Sequence, residues 1–259
     1  VDKDSAKKAL RHIESNGWNL KTVINTHYHA DHTGGNAYIQ QRTGCDIYAA
    51  PIDCAFTNHT QLEPSYLYGA YPPKPLNVKF LKAKPSYVQP LSDGVLPEGL
   101  SILHLDGHSF ANVAIRTKDG VWFLGDCLTS AAIIEKYHVS FVYDVAEYLR
   151  SLETVKSLEG KLFIPSHAKP TADIAPLAEI NRLKVLEIIS LLKDICAKPR
   201  GLDEILKAVF DHYDIKMDFT QSVLVGSTIK SYLAYLYDAG ETDVCFEGNM
   251  LSWYVKSSV

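Results

Sequence analysis

Along the chain, short apolar runs that end in turn residues alternate with stretches of helical spacing. Ala6, Ala9, Leu10 and Ile13 recur at helical intervals across residues 4–16, and Gly17 provides a stop. The run Thr22-Val23-Ile24 reads as a short buried strand, and Gly34-Gly35 as the turn that opens a helix over residues 35–43. Ile47-Tyr48-Ala49 predicts a second strand, and Pro51 the start of a helix that carries to about residue 58. Further on, residues 101–105 read as a strand, 113–116 and 121–124 as a hairpin about Lys118-Asp119-Gly120, 144–157 as a helix and 162–164 as a strand. Such strand–loop–helix alternation predicts an α/β layer arrangement.

Two stretches depart from this texture. Residues 60–98 are interrupted by Pro64, Pro72, Pro73, Pro75, Pro85, Pro90 and Pro97, with Tyr66, Tyr68, Tyr71 and Tyr87 interleaved. Only Val78-Lys79-Phe80-Leu81 reads as a strand there. Long irregular segments inside compact domains are often functional, and tyrosines suit a pocket wall. The segment is therefore expected to line or cover a cleft; the competing reading is a surface excursion packed on its own tyrosines. After Pro170 the pattern turns helical. Leu177, Ile180, Leu183, Leu186, Ile189 and Leu192 form an apolar stripe over residues 176–196, and two more helices span 201–212 and 220–239. Residues 244–246 and 251–255 then close a hairpin about Glu247-Gly248-Asn249. Helices followed by a two-stranded wing are similar to a small winged-helix module, which divides the chain into residues 1–174 and 175–259.

Composition narrows the class. The 259 residues are 46% hydrophobic and 22% charged, with a net charge of −4, ordinary for a soluble globular protein and no general attraction for nucleic acid or an anionic membrane. Residues 201–259 hold four lysines, no arginine and nine acidic residues, a balance of −5 that opposes binding to a phosphate backbone. No apolar run approaches the ~20 residues of a transmembrane helix. The five cysteines are scattered, without a Cys-x-x-Cys pair, which favours reduced thiols in the cytoplasm.

The ten histidines change the picture, because half of them sit at predicted strand ends. Directly after the first strand comes Thr26-His27-Tyr28-His29-Ala30-Asp31-His32-Thr33. Imidazole and carboxylate suit zinc and its first-row neighbours. His27 and His29, two apart on extended backbone, point the same way, while Asp31 and His32 follow where the chain turns. Later strand ends offer His108, Asp126 and His167. One division places His27, His29 and His108 on one ion, Asp31, His32 and His167 on a second, and Asp126 between them, since a carboxylate has two oxygens. Two cations would lower the pKa of a shared water or hydroxide and polarise the bond under attack. Cys127 reads as a small buried thiol, Tyr28 as core, and Ser109 as a turn residue that orients His108. His12, His59, His104, His138 and His212 read as surface or hydrogen-bonded histidines.

His27-Tyr28-His29-Ala30-Asp31-His32, Gly107-His108-Ser109, Gly125-Asp126 and Ser166-His167, in that order, resemble the successive motifs of the metallo-β-lactamase superfamily. The resemblance implies an αβ/βα four-layer sandwich with a C-terminal winged-helix-like extension. It also implies a cleft holding two divalent metal ions, zinc first, with iron or manganese as alternatives. Among its branches the sequence is most similar to glyoxalase-II-like and lactamase-B-like hydrolases. A flavodiiron oxidoreductase would usually carry glutamate where His29 stands. The implied activity is hydrolysis of a small ester, thioester, lactone or related bond through a bridging hydroxide, with Asp31 and Asp126 as catalytic carboxylates. The alternatives are a phosphodiesterase or ribonuclease of the same superfamily, an iron-dependent persulfide dioxygenase, and an interaction module whose acidic wing mediates homodimerisation. In the fold resembled, several strands precede the first helix, and Val1-Asp2 looks like the end of one. The chain is accordingly expected to be a fragment or truncated, or to have that gap covered by another chain.

Overall fold

The computed structural model describes residues 3–256. Helix α1 (Lys3–Ser15) leads into strand β1 (Thr22–Ile24), a four-residue helix α2 (Ala30–Thr33) and α3 (Asn36–Thr43). Strand β2 (Asp46–Ala49) and helices α4 (Pro51–Asn58) and α5 (Leu62–Tyr68) follow, and then the two-residue strand β3 (Gln89–Pro90). β1, β2 and β3 form a parallel sheet in that order, so β1 is an edge among the described residues. Val1 and Asp2, read above as the end of a preceding strand, lie outside the described residues.

The second sheet runs in the order β4 (Leu100–His104), β5 (Val113–Thr117), β6 (Val121–Thr129) and β7 (Leu162–His167). Its first two pairings are antiparallel, and β6 pairs parallel with β7 through a crossover containing α6 (Ala131–Tyr137) and α7 (Val145–Lys156). Alternation along the strands sorts side chains between two faces. In β2, Ile47 and Ala49 pack with Ala6 and Leu10 of α1 and Ile39 of α3, whereas Tyr48 faces Val113 and Ile102 of the other sheet. In the second sheet, Val113 looks inward and its neighbour Ala114 outward, to the core built on α7. The result is four layers: helices, sheet, sheet, helices.

Helices α8 (Ala175–Ile195), α9 (Leu202–His212) and α10 (Phe219–Asp238) precede a hairpin of β8 (Thr242–Glu247) and β9 (Met250–Val255). Their apolar faces continue the outer core: Leu124 and Leu152 share one cluster with Ile188, Leu192, Ile205 and Ile229.

Three expectations need correction. Residues 78–81 form a turn, not a strand, because no neighbour pairs with them; Val78 and Phe80 are exposed. Residues 60–98 are less irregular than their prolines suggest, since α5 accepts Pro64 in its first turn, where a missing N–H costs little, and Gly69 (φ 78°) ends it. The apolar stripe of α8 is rotated. Ala178, Asn181, Val185, Ile188 and Leu192 are buried, whereas Ile180, Leu183 and Leu186 face outward. The buried face includes a polar residue: Asn181 donates to the Thr129 carbonyl (2.9 Å) and accepts from its N–H (3.0 Å).

Candidate metal centre

The loop after β1 is tied down before any ligand-type residue appears. Asn25 and Asn36 exchange side-chain hydrogen bonds (2.7 and 3.3 Å), and the Thr26 carbonyl accepts from Val113 of the second sheet (2.8 Å). The Thr33 hydroxyl donates to the carbonyls of Tyr28 (3.1 Å) and His29 (3.2 Å), closing the loop against α2. Tyr28 turns the other way and stacks on Phe56, with ring centroids 4.1 Å apart.

Two glycines make the later positions possible. Gly107 (φ 112°) lies so close to α7 that a Cβ would fall 2.2 Å from the backbone nitrogen of Tyr148. Gly125 (φ 60°) would set a Cβ 2.5 Å from Asn112 Oδ1. That same Oδ1 accepts from the backbone N–H of Asp126 (3.3 Å), while Asn112 Nδ2 donates to the Leu124 carbonyl (3.2 Å). Asn112 thus spans the bend that presents Asp126, a role with no signal in the sequence beyond its position before a strand.

The seven expected ligand-type residues converge. Nitrogens of His27, His29 and His108 form one group whose atoms all lie within 4.8 Å of one another. Asp31, His32, Asp126 and His167 form a second on the same criterion. Asp126 Oδ2 faces both. It lies 2.9 Å from His167 Nε2 and 3.2 Å from His32 Nε2 on one side, and 3.6 Å from His108 Nε2 and 3.8 Å from His27 Nε2 on the other. Asp31 Oδ2 is 3.4 Å from His32 and 3.6 Å from His167.

Protonation divides the groups. Burial holds His27 and His108 below the usual imidazole range and takes His29 down to about 3, with neighbouring imidazoles adding to the effect. His108 Nδ1 lies 3.1 Å from the Phe141 carbonyl, which can only accept, so the proton sits there and the Nε2 lone pair faces the cluster. Hydrogen bonds to Asp126 and Asp31 push His167 up to about 10, and, against the effect of burial, His32 up to about 9. Burial would raise Asp126 and Asp31, but the hydrogen bonds from His167 and His32 outweigh it and keep both carboxyls well below the ordinary range.

The donor set suits divalent cations. His27, His29 and His108 are already neutral and both carboxylates ionised, as metal ligands must be, whereas His32 and His167 hold protons that a bound cation would displace. His27 Nε2 and Asp126 Oδ1 are also buried without a hydrogen-bond partner, an arrangement that is costly unless something else is coordinated there.

The other candidates stand apart. His104 is exposed, His12 packs edge-on to Trp18, and His138 and His212 both contact the Tyr213 ring. Cys127 is fully buried, and burial pushes its thiol up. Ser109 is buried with its hydroxyl unpartnered, and its carbonyl accepts from the N–H of Gly107 (3.4 Å). None of Tyr66, Tyr68, Tyr71 and Tyr87 lines the cavity beside Asp31 and His167. Tyr66 packs against Phe110 and Tyr143, Tyr68 against Phe219, and Tyr71 is almost fully exposed. Segment 60–98 reaches the cavity beside Asp31 and His167 through Lys79, Phe80, Lys82 and Lys84 instead.

Residues 2–167 match the family described as the metallo-beta-lactamase superfamily. A hydroxyacylglutathione hydrolase of Rhodospirillum rubrum is 47% identical over 47 residues, 18% of each chain. One of Shewanella loihica is 28% identical over 180 residues, 68% of this chain and 58% of that enzyme. These alignments thus span less than two thirds of the curated relatives' length. Among solved structures, a metallo-beta-lactamase family protein of Thermus thermophilus superposes with a TM-score of 0.71 at 19% identity, covering 96% of this chain and 86% of that one. A beta-lactamase domain protein of Burkholderia ambifaria gives 0.70 at 18%, over 95% and 78%. With the four layers and the histidine-rich loop in place, the match over most of the chain establishes that the protein belongs to the metallo-β-lactamase superfamily.

Proposed function

We propose that the protein is a metal-dependent hydrolase of a small ester, thioester, lactone or related bond, working with two divalent ions. Zinc is the first choice, with iron or manganese as alternatives. The observation that carries this reading is the convergence of seven ligand-type side chains in two groups, with one carboxylate oxygen facing both. His27, His29 and His108 would hold one ion, and Asp31, His32 and His167 the other, with Asp126 between them. When bound, such ions supply Lewis-acid polarisation and a nucleophilic water of lowered pKa. The remaining work falls to the chain. Phe141 and Asn112 fix His108 and Asp126, and burial of His27 and Asp126 keeps bulk water from the shared point.

Residues 1–174 would form the catalytic unit and 175–259 a helical, winged-helix-like unit beside it. The acidic balance of residues 201–259 argues for a small-molecule substrate over RNA. No helix among the described residues is long and apolar enough to cross a membrane. The five unpaired cysteines support a reducing compartment, the cytoplasm.

The test is metal analysis together with turnover of a panel of thioesters, lactones and phosphodiesters. Asp126→Ala should lose at least about a hundredfold in kcat/KM, the scale on which outer partners of metal ligands already act; Ser109→Ala should lose far less. Equal, small losses from both would reject the two-ion reading.

A further inference from the structure

A cavity of about 660 Å³ opens directly on Asp31 and His167, a volume within the range of small-molecule sites. Its lining includes Lys3, Lys79, Lys82 and Lys84 together with the aromatic rings of Tyr38 and Phe80. The acidic groups that share the cavity are Asp31, already engaged with His32 and His167, and Asp4, which is bonded to Lys7 outside it (2.9 Å). Some lysines elsewhere sit against a carboxylate, among them Lys156 on Glu179, Lys184 on Glu187, Lys193 on Glu241 and Lys256 on Asp243. Among the described residues no carboxylate lies within ion-pair distance of Lys79, Lys82 or Lys84. Lys82 instead meets the neutral side-chain oxygens of Gln61 and Asn77 (3.4 Å to the latter), which orient its ammonium without neutralising it. Phe80 is 59% exposed, a large apolar side chain that lines the same cavity. On a chain of net charge −4, three lysines within six residues, none with a carboxylate partner among the described residues, concentrate positive charge beside the candidate centre.

We infer that Lys79, Lys82 and Lys84 form an anion subsite, and that the substrate carries a carboxylate or phosphate separated from the scissile bond by an apolar spacer that lies along Phe80 and Tyr38. The assignment rests on the hydrolase reading above for its reaction, though not for its binding. Clustered lysines at a cleft mouth raise the local concentration of anions in a salt-dependent manner. They act as point charges rather than as a planar fork, so the subsite takes both carboxylate and phosphate.

The test has a turnover arm and a binding arm. In the first, acyl thioesters matched in length are compared with a terminal carboxylate, a terminal phosphate or a neutral methyl ester. The anionic substrates should lead in kcat/KM by roughly tenfold at low salt, equivalent to about 1.4 kcal/mol. The lead should sit mainly in KM, shrink with added salt and collapse toward unity in the Lys79→Gln/Lys84→Gln double variant, but persist in the remote Lys207→Gln. In the second, glutarate and phenylphosphonate are titrated calorimetrically into the metal-loaded protein, and the double variant should bind both about tenfold more weakly. The stronger of the two probes identifies carboxylate or phosphate as the natural group. Equal kcat/KM on charged and neutral thioesters, or glutarate and phenylphosphonate binding that is absent or unchanged in the double variant, overturns the subsite and leaves the hydrolase reading standing. Weakened binding in the variant with no turnover of any substrate sustains the subsite and removes the hydrolase reading.

Discussion

At the residue scale, the ligand-type side chains were legible because they sit within or just beyond apolar strands, near the ends where a loop leaves a fixed scaffold. The residues that hold them were not. Asn112 is one polar residue before a strand, and only the folded chain shows it spanning the Gly125 bend. Replacing it with alanine strands two buried backbone groups, at roughly 1–3 kcal/mol each. Urea denaturation of Asn112→Ala should show that loss together with reduced metal content; full retention of both would remove Asn112 from the support of Asp126. Asp53 presents the opposite case, a buried carboxyl with no partner for either oxygen. Burial, reinforced by Asp106, pushes it up to about 8. The folded chain therefore holds this proton more tightly than the unfolded chain, where the group titrates near 4. Its contribution to stability is fully present below pH 4 and is lost as the pH rises toward 8, by up to about 1.4 kcal/mol per pH unit crossed. Relative to wild type, Asp53→Asn should gain stability between pH 5 and pH 8.5. Parallel pH–stability curves for the two proteins would refute this.

At the element scale, pattern reading succeeds where one face of an element is polar and fails where both faces are apolar. In α1, Ala6 and Leu10 stand out from charged neighbours and are buried. In α8, residues 183–192 carry apolar side chains nearly all round, so spacing alone cannot say which stripe faces the core. The core takes Val185 and Ile188 because Asn181, one turn earlier, bonds to the end of β6 and sets the helix rotation. Ile188→Ala should cost about 2–5 kcal/mol, as buried large-to-small changes do, and Leu183→Ala less than about 0.5 kcal/mol. Thermal or urea melts of the two variants decide it, and a larger loss at Leu183 would reverse the assigned face. Segment 60–98 lines the cavity as expected, but not through its tyrosines. Its prolines and tyrosines draw the eye, while its contribution to the cavity comes from lysines and Phe80 that no periodicity marks.

At the scale of the whole molecule, the ligand-type residues come from both sheets. His27, His29, Asp31 and His32 follow β1 of the first, whereas His108, Asp126 and His167 belong to strands or strand ends of the second. The apolar seam between the sheets is slight, with Ala50, Leu91, Ala111 and Val113 as its buried members, against an outer core that runs through α7 to α10. A pair of bound cations would therefore add a tie between two layers whose apolar seam is smaller than the outer core. Binding to the folded state alone stabilises by about 2.7 kcal/mol at a hundred times the dissociation constant. Zinc added to chelator-treated protein should raise the melting temperature by several degrees, the size of shift that such an energy gives in a domain of this length. The gain should vanish in Asp126→Ala, which removes the oxygen facing both groups, and persist in His59→Ala, which lies outside them. Hydrogen exchange adds a spatial readout: protection on metal loading should grow in both β1–β2 and β6–β7. Protection confined to one sheet, or a melting temperature indifferent to zinc in the wild-type protein, would show that the two layers hold together without the metals.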